Sequence, residues 1–131
     1  MLKPENRLKK TRDFNLLIKQ GRWTSGSLLD VKVLKLDVIK DALLPKKMSK
    51  EDFRNQLKIA FTVGLKIEKR AVYRNRIKRQ LREVVRLLIK ENRLKKGYYL
   101  LFVAKKEIKE AEYGEIARDV TEVLRLSRVL V

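Results

Sequence analysis

The spacing of apolar residues changes several times along the chain, and each change predicts a different element of a mixed fold. Phe14, Leu17 and Ile18 stand at i, i+3 and i+4, which is the apolar stripe of an amphipathic helix. Thr11 is a suitable N-cap for this helix, and Gly21 is a suitable end. The chain therefore opens with a short helix that buries a narrow stripe.

Strand-like alternation predicts a sheet on both sides of a long connection. Residues 22–25 and 29–34 read as two strands, and the alternation slips near the end of the second, where we expect a bulge or burial on both faces. Residues 57–63 alternate most regularly, with one apolar face and one small or basic face. The connection at residues 37–56 is long for a loop in a compact domain, so we expect part of it to be flexible. We also expect one helical turn to begin at Ser49 within this connection.

The second half of the chain predicts two longer helices around one buried strand. A helix is predicted from about 72 to 93, a turn at Gly97, a strand buried on both faces at 98–104, and a last helix that ends near Leu126. The core stripes of the two helices are Ile77, Leu81, Val84, Val85 and Leu88, then Ile116, Val120, Val123 and Leu124. The predicted fold class is α/β (α+β), with a small mixed sheet sandwiched with three helices in the order α-β-β-β-α-β-α and a single domain over residues 1–131.

Composition limits the chemistry of this domain. The 131 residues include 34 Lys and Arg against 16 Asp and Glu, a net charge of +18 that favours a polyanionic partner. There is no Cys and no His, which excludes disulfides, thiol nucleophiles and His-based triads or metal sites. No segment has the length and apolarity of a membrane span or a signal peptide, so we expect a cytoplasmic protein with no membrane partner.

The densest group of cations lies in the long predicted helix. When Ile77 and Leu81 face the sheet, the outward half carries Asn75, Lys78, Arg79, Arg82 and Arg86, with Arg76 at its edge and Arg74 in the first turn. Glu83 is the only acid between 74 and 90, so ion pairs within the helix leave most of this charge free. Arg matches phosphate oxygens with two parallel donors. We interpret this face as a nucleic-acid surface rather than a solvated helix face or a membrane-surface helix, which would need Trp or Phe anchors.

Residues 71–83, with the sequence AVYRNRIKRQLRE, resemble the signature of the bacterial ribonuclease P protein family. Residues 7–14, 21–22, 59–72 and 98–106 resemble other parts of that family in the same order, so the likeness covers roughly 7–126. It implies an α/β sandwich with a left-handed crossover through the Arg-rich helix. It also implies a role: to bind the catalytic RNA of ribonuclease P and the single-stranded 5′ leader of precursor tRNA.

The same resemblance assigns the chemistry to the RNA subunit, which cuts the leader with Mg²⁺. It implies no catalytic residue, no metal or cofactor held by the protein, and no obligate protein partner. By position, the residues that match the motif for the catalytic RNA are Arg74, Asn75, Arg76, Lys78, Arg79 and Arg82.

A leader-binding cleft is implied beside the first helix. Phe14 matches an aromatic that can stack on a base, which is worth about 1–3 kcal/mol, although an aromatic on an amphipathic helix is otherwise more often a core residue. Ile18 stands where a second aromatic is expected and cannot stack in the same way, and Lys32 stands where a strand aromatic is often found. Lys58, Thr62 and Lys66 share the polar side of the second strand and complete the expected cleft.

Two other functions remain open from the residues alone. One is a structural basic protein bound to ribosomal or another structured RNA. The other is a nuclease that holds Mg²⁺ with scattered acids, namely Asp30, Asp37, Asp41 and Asp52.

Overall fold

One four-stranded mixed sheet organises the molecule, and the computed structural model describes residues 2–131. The strands are β1 (Arg22–Ser25), β2 (Leu29–Lys35), β3 (Leu57–Thr62) and β4 (Tyr98–Ala104), in the spatial order β1-β2-β4-β3. β2 pairs with β1 and β4 in antiparallel fashion, whereas β3 runs parallel to β4. A parallel pair needs a crossover, and the long helix between β3 and β4 supplies it.

Helices cover both faces of the sheet. They are α1 (Thr11–Gln20), the short α2 (Lys50–Arg54), α3 (Ala71–Lys90) and α4 (Tyr113–Leu126). The predicted order is confirmed, with α2 added inside the long connection as the helical turn expected at Ser49, whose hydroxyl accepts the Asp52 N–H at 3.0 Å. Thr11 is the first helical residue and Lys10 the cap, so the predicted N-cap is off by one position. Leu126 is 52% exposed and lies outside the core.

The sheet separates two apolar cores. α3 and α4 pack on one face against Leu29, Val31, Ile59, Leu100 and Phe102, and α1 and α2 pack on the other against Leu34, Tyr99 and Leu101. β4 is therefore buried on both faces, as its continuous apolar run predicts. The register of β2 on β4 is unbroken from Leu29 to Lys35. The slip in its alternation is thus burial on both faces and not a bulge.

The long connection packs onto the second core. Leu36, Ile39 and Phe53 are buried there. The Arg54 guanidinium donates to the Ile39 carbonyl at 3.1 Å and to the Asp41 carboxylate at 2.9 Å. Residues 37–56 thereby fold against α1 and the start of β4.

The segment before α1 covers part of the β3 edge. Arg7 forms a parallel bridge with Ile59, and the Leu8 N–H donates to the Ile59 carbonyl at 3.0 Å. The Asn6 side-chain amide donates to the Leu57 carbonyl at 2.8 Å. The N-terminal segment thereby protects the first half of this edge and leaves the second half open.

Gly97 makes the sharp turn into β4. Its φ is +92°, a backbone conformation that side chains rarely adopt, and a Cβ there would meet the Arg54 carbonyl oxygen at 2.7 Å. The predicted turn is confirmed. None of the helices within residues 2–131 has the length and apolarity needed to cross a membrane.

Candidate nucleic-acid interface

The outward face of α3 carries the cations that its periodicity predicts. Its inward stripe is fully or almost fully buried in the first core, from Ile77 to Leu88. Asn75, Arg76 and Arg79 are exposed, and Lys78 and Arg82 are half-buried at the flanks of the helix. One rigid helix thus presents several donors toward solvent on one side.

Most of these cations have no acidic partner. Glu83 accepts two hydrogen bonds from the Arg86 guanidinium, at 2.9 and 2.6 Å, and this pairing lowers the pKa of the Glu83 carboxyl. Across residues 2–131, no ion pair involves Arg76, Arg79 or the other motif cations Lys78 and Arg82. Their donors remain available for phosphate oxygens.

A buried carboxylate fixes the start of this helix. Glu68 is 5% exposed and accepts hydrogen bonds from the Arg70 side chain at 2.8 Å and the Arg70 N–H at 3.2 Å. Its second oxygen lies 3.0 Å from the Lys109 amine. Hydrogen bonds from Arg70 and then Lys109 lower the pKa of Glu68 to about 2. Glu68 thereby ties the loop before α3 to the connection after β4.

Arg74 adds to the same anchor. Its Nη1 donates to the Glu68 carbonyl at 3.1 Å and to the Lys69 carbonyl at 2.6 Å. Arg70 also stacks on the Tyr73 ring at 4.0 Å. Arg74 therefore holds the helix entrance with part of its guanidinium, unlike the freer Arg76 and Arg79.

A cleft of about 350 Å³ lies over the open half of the β3 edge. Phe14 reaches it from α1 on one face of the sheet, and Arg82 reaches it from α3 on the other. The remaining lining residues are Leu2, Arg7, Leu8, Lys9, Ile59, Ala60 and Phe61. The cleft thus combines an aromatic ring, a strand edge and three cations. Grooves that bind single-stranded nucleic acid use aromatic rings and cations in this way.

The cleft contains only one of the six residues predicted to bind the leader. Phe14 lines it, half-buried, beside Ala60, whose small side chain leaves the backbone accessible. Thr62 and Lys66 are exposed farther along the chain, and Lys58 lines a separate groove of about 390 Å³ with Asn6 and Lys96.

The other two predicted cleft residues lie toward the far end of α1. Ile18 is 51% exposed on the outer side of the helix, one turn after Phe14. Lys32 is 9% exposed, and its amine donates to the Ile18 carbonyl at 2.6 Å. This buried amine lies 5.4 Å from the Trp23 ring. Lys32 therefore does not line the cleft at Phe14, and its amine is bonded to the C-terminal end of α1.

Sequence reasoning did not place three cations in this cleft. Arg7 and Lys9 line it because the N-terminal segment pairs with β3, and Arg82 lines it although it was assigned to the helix face alone. The basic run at 7–10 was the available signal. Its location depends on a pairing partner about fifty residues away, which local patterns do not reveal.

Three of the four acids proposed for a nuclease site are paired with nearby cations. The carboxylate of Asp30 lies 3.2 Å from the Lys105 amine, and that of Asp37 lies 3.5 Å from the Lys35 amine. Asp41 is bound by Lys50 and Arg54, whose hydrogen bonds lower its pKa. Among the side chains of residues 2–131, no group of three acids forms a potential metal site.

Comparisons with known proteins agree with this geometry. The sequence profile of the family described as Ribonuclease P matches residues 2–127. The chain is 32% identical to the ribonuclease P protein component of Cyanothece sp., over 99% of this chain and 98% of that protein. It is 31% identical to that of Alkaliphilus oremlandii, over 95% and 92%.

Solved structures share the fold. The RNase P protein of Staphylococcus aureus superimposes with a TM-score of 0.72 at 21% identity, over 95% of this chain and 97% of that one. The protein from Thermotoga maritima gives a TM-score of 0.69 at 19% identity, over 92% and 96%. A family match over nearly the whole length, relatives above 30% identity and the same fold lead to one conclusion: this chain belongs to the ribonuclease P protein family.

Proposed function

We propose that this chain is the ribonuclease P subunit that binds the catalytic RNA with the outward face of α3 and the 5′ leader of precursor tRNA with the cleft at Phe14. The observation that carries the proposal is the position of Arg82. It belongs to the cationic helix and also lines the cleft. A leader in this cleft would therefore lie directly beside RNA bound to the helix.

Each surface suits its proposed ligand. Arg76, Lys78 and Arg79 are cations without acidic partners on a helix whose entrance is fixed by Glu68, so they can bind phosphates with little reorganisation. The Phe14 ring can stack on one base of the leader. Arg7 and Lys9 can neutralise the phosphates of the RNA that passes this ring. Stacking on a protein ring requires a base that is not stacked within a duplex, and the bases of a single-stranded leader meet this requirement.

In this proposed function the RNA subunit cleaves the leader with the help of Mg²⁺. The reaction takes place in the cytoplasm. The protein contributes binding, orientation and charge neutralisation. The acids of this chain do not fit a metal site, because Asp30, Asp37 and Asp41 each face a lysine or arginine and lie apart. No step of the reaction is assigned to a protein side chain.

A cleavage assay tests this function. Precursor tRNA is incubated at low Mg²⁺ with the catalytic RNA alone, with the protein alone, and with both. We expect cleavage at the mature 5′ end to be fast only with both, because the protein's cations replace part of the metal's screening of the phosphates. Cleavage by RNA-free protein would contradict the division of labour. An unchanged rate on adding protein would favour a purely structural RNA-binding role.

A further inference from the structure

A second basic groove lies at the end of the sheet opposite the start of α3. It is formed by the start of β1, the end of β2, the start of β4 and the two residues after the end of α4, and it encloses about 740 Å³. We name it the corner groove and define it by Arg22, Trp23, Lys35, Lys95, Tyr98 and Arg128. It is separate from the cleft at Phe14, with which it shares no lining residue.

The charge of the corner groove is entirely positive. Arg22, Lys35, Lys95 and Arg128 are all exposed, and none of the residues that line the groove is acidic. Lys35 alone has an acidic partner, the exposed Asp37 at 3.5 Å. Such a surface favours a ligand with a continuous row of phosphates over a protein partner with a few isolated acidic side chains.

Trp23 gives the groove a flat aromatic surface. It is 53% exposed, whereas Trp side chains are highly buried on average, and it is the only Trp in the chain. The amine of Lys32 lies 5.4 Å from its ring. Bases of a duplex are stacked on one another, so an open indole beside cations suits single-stranded RNA.

Arg128 occupies a backbone position that usually belongs to glycine. Its φ is +64°, and the N–H of the next residue, Val129, closes the end of α4 by donating to the Leu124 carbonyl at 2.9 Å. The equivalent position after α3 is Asn92, with a φ of 56°, and Asn tolerates this conformation well. This left-handed backbone conformation costs free energy for Arg. A residue that adopts it despite that cost is typical of a position where the side chain has a function.

Helix α1 contributes a residue to the cleft at Phe14 and a residue to the corner groove. Phe14 and Ile18 lie one turn apart on the same side of α1, and Gln20 at its end lines the corner groove. Ten helical residues span about 15 Å, a distance that a few nucleotides cover. The exposed Ile18 lies between Phe14 and Gln20 along this helix.

We propose that the precursor tRNA leader continues from the cleft at Phe14 along α1 into the corner groove. There a base farther from the cleavage site stacks on Trp23, and Arg22, Lys95 and Arg128 bind the adjoining phosphates. This inference rests on the proposed function, because it extends the path of the same leader. It makes Trp23 and Arg128 determinants of the response to leader length.

The test uses the reconstituted complex of this protein with its catalytic RNA and two precursors. One has a leader of about 4 nucleotides and the other of about 16, the span of known single-strand site sizes. Emission of the sole tryptophan should be quenched by the long-leader precursor and not by the short one. Trp23→Ala should lower affinity for the long-leader precursor about tenfold and leave the short one unchanged, while Trp23→Phe should retain most of the affinity.

Arg128→Gly separates binding from folding. It should lower affinity for the long leader several-fold without lowering the melting temperature, because glycine suits that backbone position. Asn92→Gly makes the same backbone change after α3 and removes no cation, and Arg118→Ala removes an exposed cation of α4 outside the groove. Both controls should bind the two precursors like the parent protein.

The outcomes distinguish the two proposals. Equal quenching by both precursors, or equal losses for both in Trp23→Ala, would overturn the corner groove as the distal leader site. Loss of affinity for the catalytic RNA alone in these variants would assign the groove to that RNA instead and also overturn the inference. If affinity for the precursor rises no further once the leader is long enough to fill the cleft at Phe14, this inference fails and the proposed function stands. If no leader affects affinity at all, the proposed function itself fails.

Discussion

The Lys32 amine donates a 2.6 Å hydrogen bond to the carbonyl of Ile18, joining the second strand to the C-terminal end of α1. A cation at this end of a helix also faces the negative end of the helix dipole. The bond therefore ties the end of α1 to β2, in addition to the apolar packing of Leu16 and Leu17 in the second core. Phe14, which lines the cleft, belongs to the same helix.

Lys32→Met should destabilise the fold by about 1–2 kcal/mol, because it keeps the packing of the stem and removes a buried charged donor. Urea unfolding measures the change. Lys58→Met is the matched control: Lys58 is half-exposed, and its amine makes no hydrogen bond or ion pair among residues 2–131. Equal stability of the two variants would show that the bond to Ile18 contributes nothing.

Phe14→Leu should keep most of the packing against the second core and lose the ring available for stacking. The complex with catalytic RNA should then bind leader-bearing precursor about 1–3 kcal/mol more weakly and mature tRNA with unchanged affinity. Binding titrations of both RNAs measure the difference. A parallel loss for both RNAs would remove Phe14 from the leader site, and unfolding of the variant would assign Phe14 to the core.

Replacing Arg76 and Arg79 by Ala should weaken binding to the catalytic RNA whether or not a leader is present. Two phosphate contacts are lost, so the slope of log affinity against log salt should become less negative by about 1.4–1.8. Titrations from low to moderate salt give the slope. Arg118→Ala, which removes an exposed cation from α4, should leave it unchanged. An unaltered slope in the double variant would exclude both side chains from the interface.

The carboxylate of Glu68 predicts a specific acid sensitivity. Its pKa is about 2 in the folded protein, because Arg70 and Lys109 hold it ionised, against an ordinary value of 4.5. Its stabilisation should therefore be complete above about pH 4.5 and decline as the pH falls toward 2. The difference in melting temperature between the parent and Glu68→Gln should shrink over that interval. Glu91→Gln, at an exposed position without an ion pair in residues 2–131, should show no such change.

Gly97→Ala should destabilise the protein by at least about 1–2 kcal/mol, the cost of placing a side chain in the left-handed region. The added Cβ would also meet the Arg54 carbonyl oxygen at 2.7 Å, so the effect should exceed the backbone cost alone. Gly64→Ala places a Cβ in open space and is the control. Thermal unfolding of both variants decides whether the turn requires glycine.

The sequence predicted α3 and its surface well, because one periodic stripe determines both. Once Ile77 and Leu81 face the core, the helix geometry alone places Asn75 and Arg79 in solvent, and Arg76, which was predicted at the edge of this face, is exposed as well. β4 was equally predictable, since a continuous apolar run of strand length that follows a glycine turn is typical of a strand buried on both faces. In each case the information lies within one element.

The cleft was less predictable because its walls come from separate elements. Alternation assigned Lys58 to a face of β3 but not to a position along it, and Lys58 lies in another groove beside Asn6 and Asn55. Arg7 and Lys9 enter the cleft through pairing between residues 7 and 59, which no local pattern encodes. Trp23 was overlooked because a short, polar edge strand gives little signal.

The pairing of the N-terminal segment with β3 also makes the cleft a nonlocal feature of the chain. The Asn6 side chain donates to a carbonyl 51 positions later, and Arg82 comes from the crossover helix. Closing such long loops costs conformational entropy, which only the packed fold offsets. An isolated N-terminal peptide would therefore carry the basic residues 7–10 without the cleft. The cleft exists only in a chain that has folded at least as far as α3.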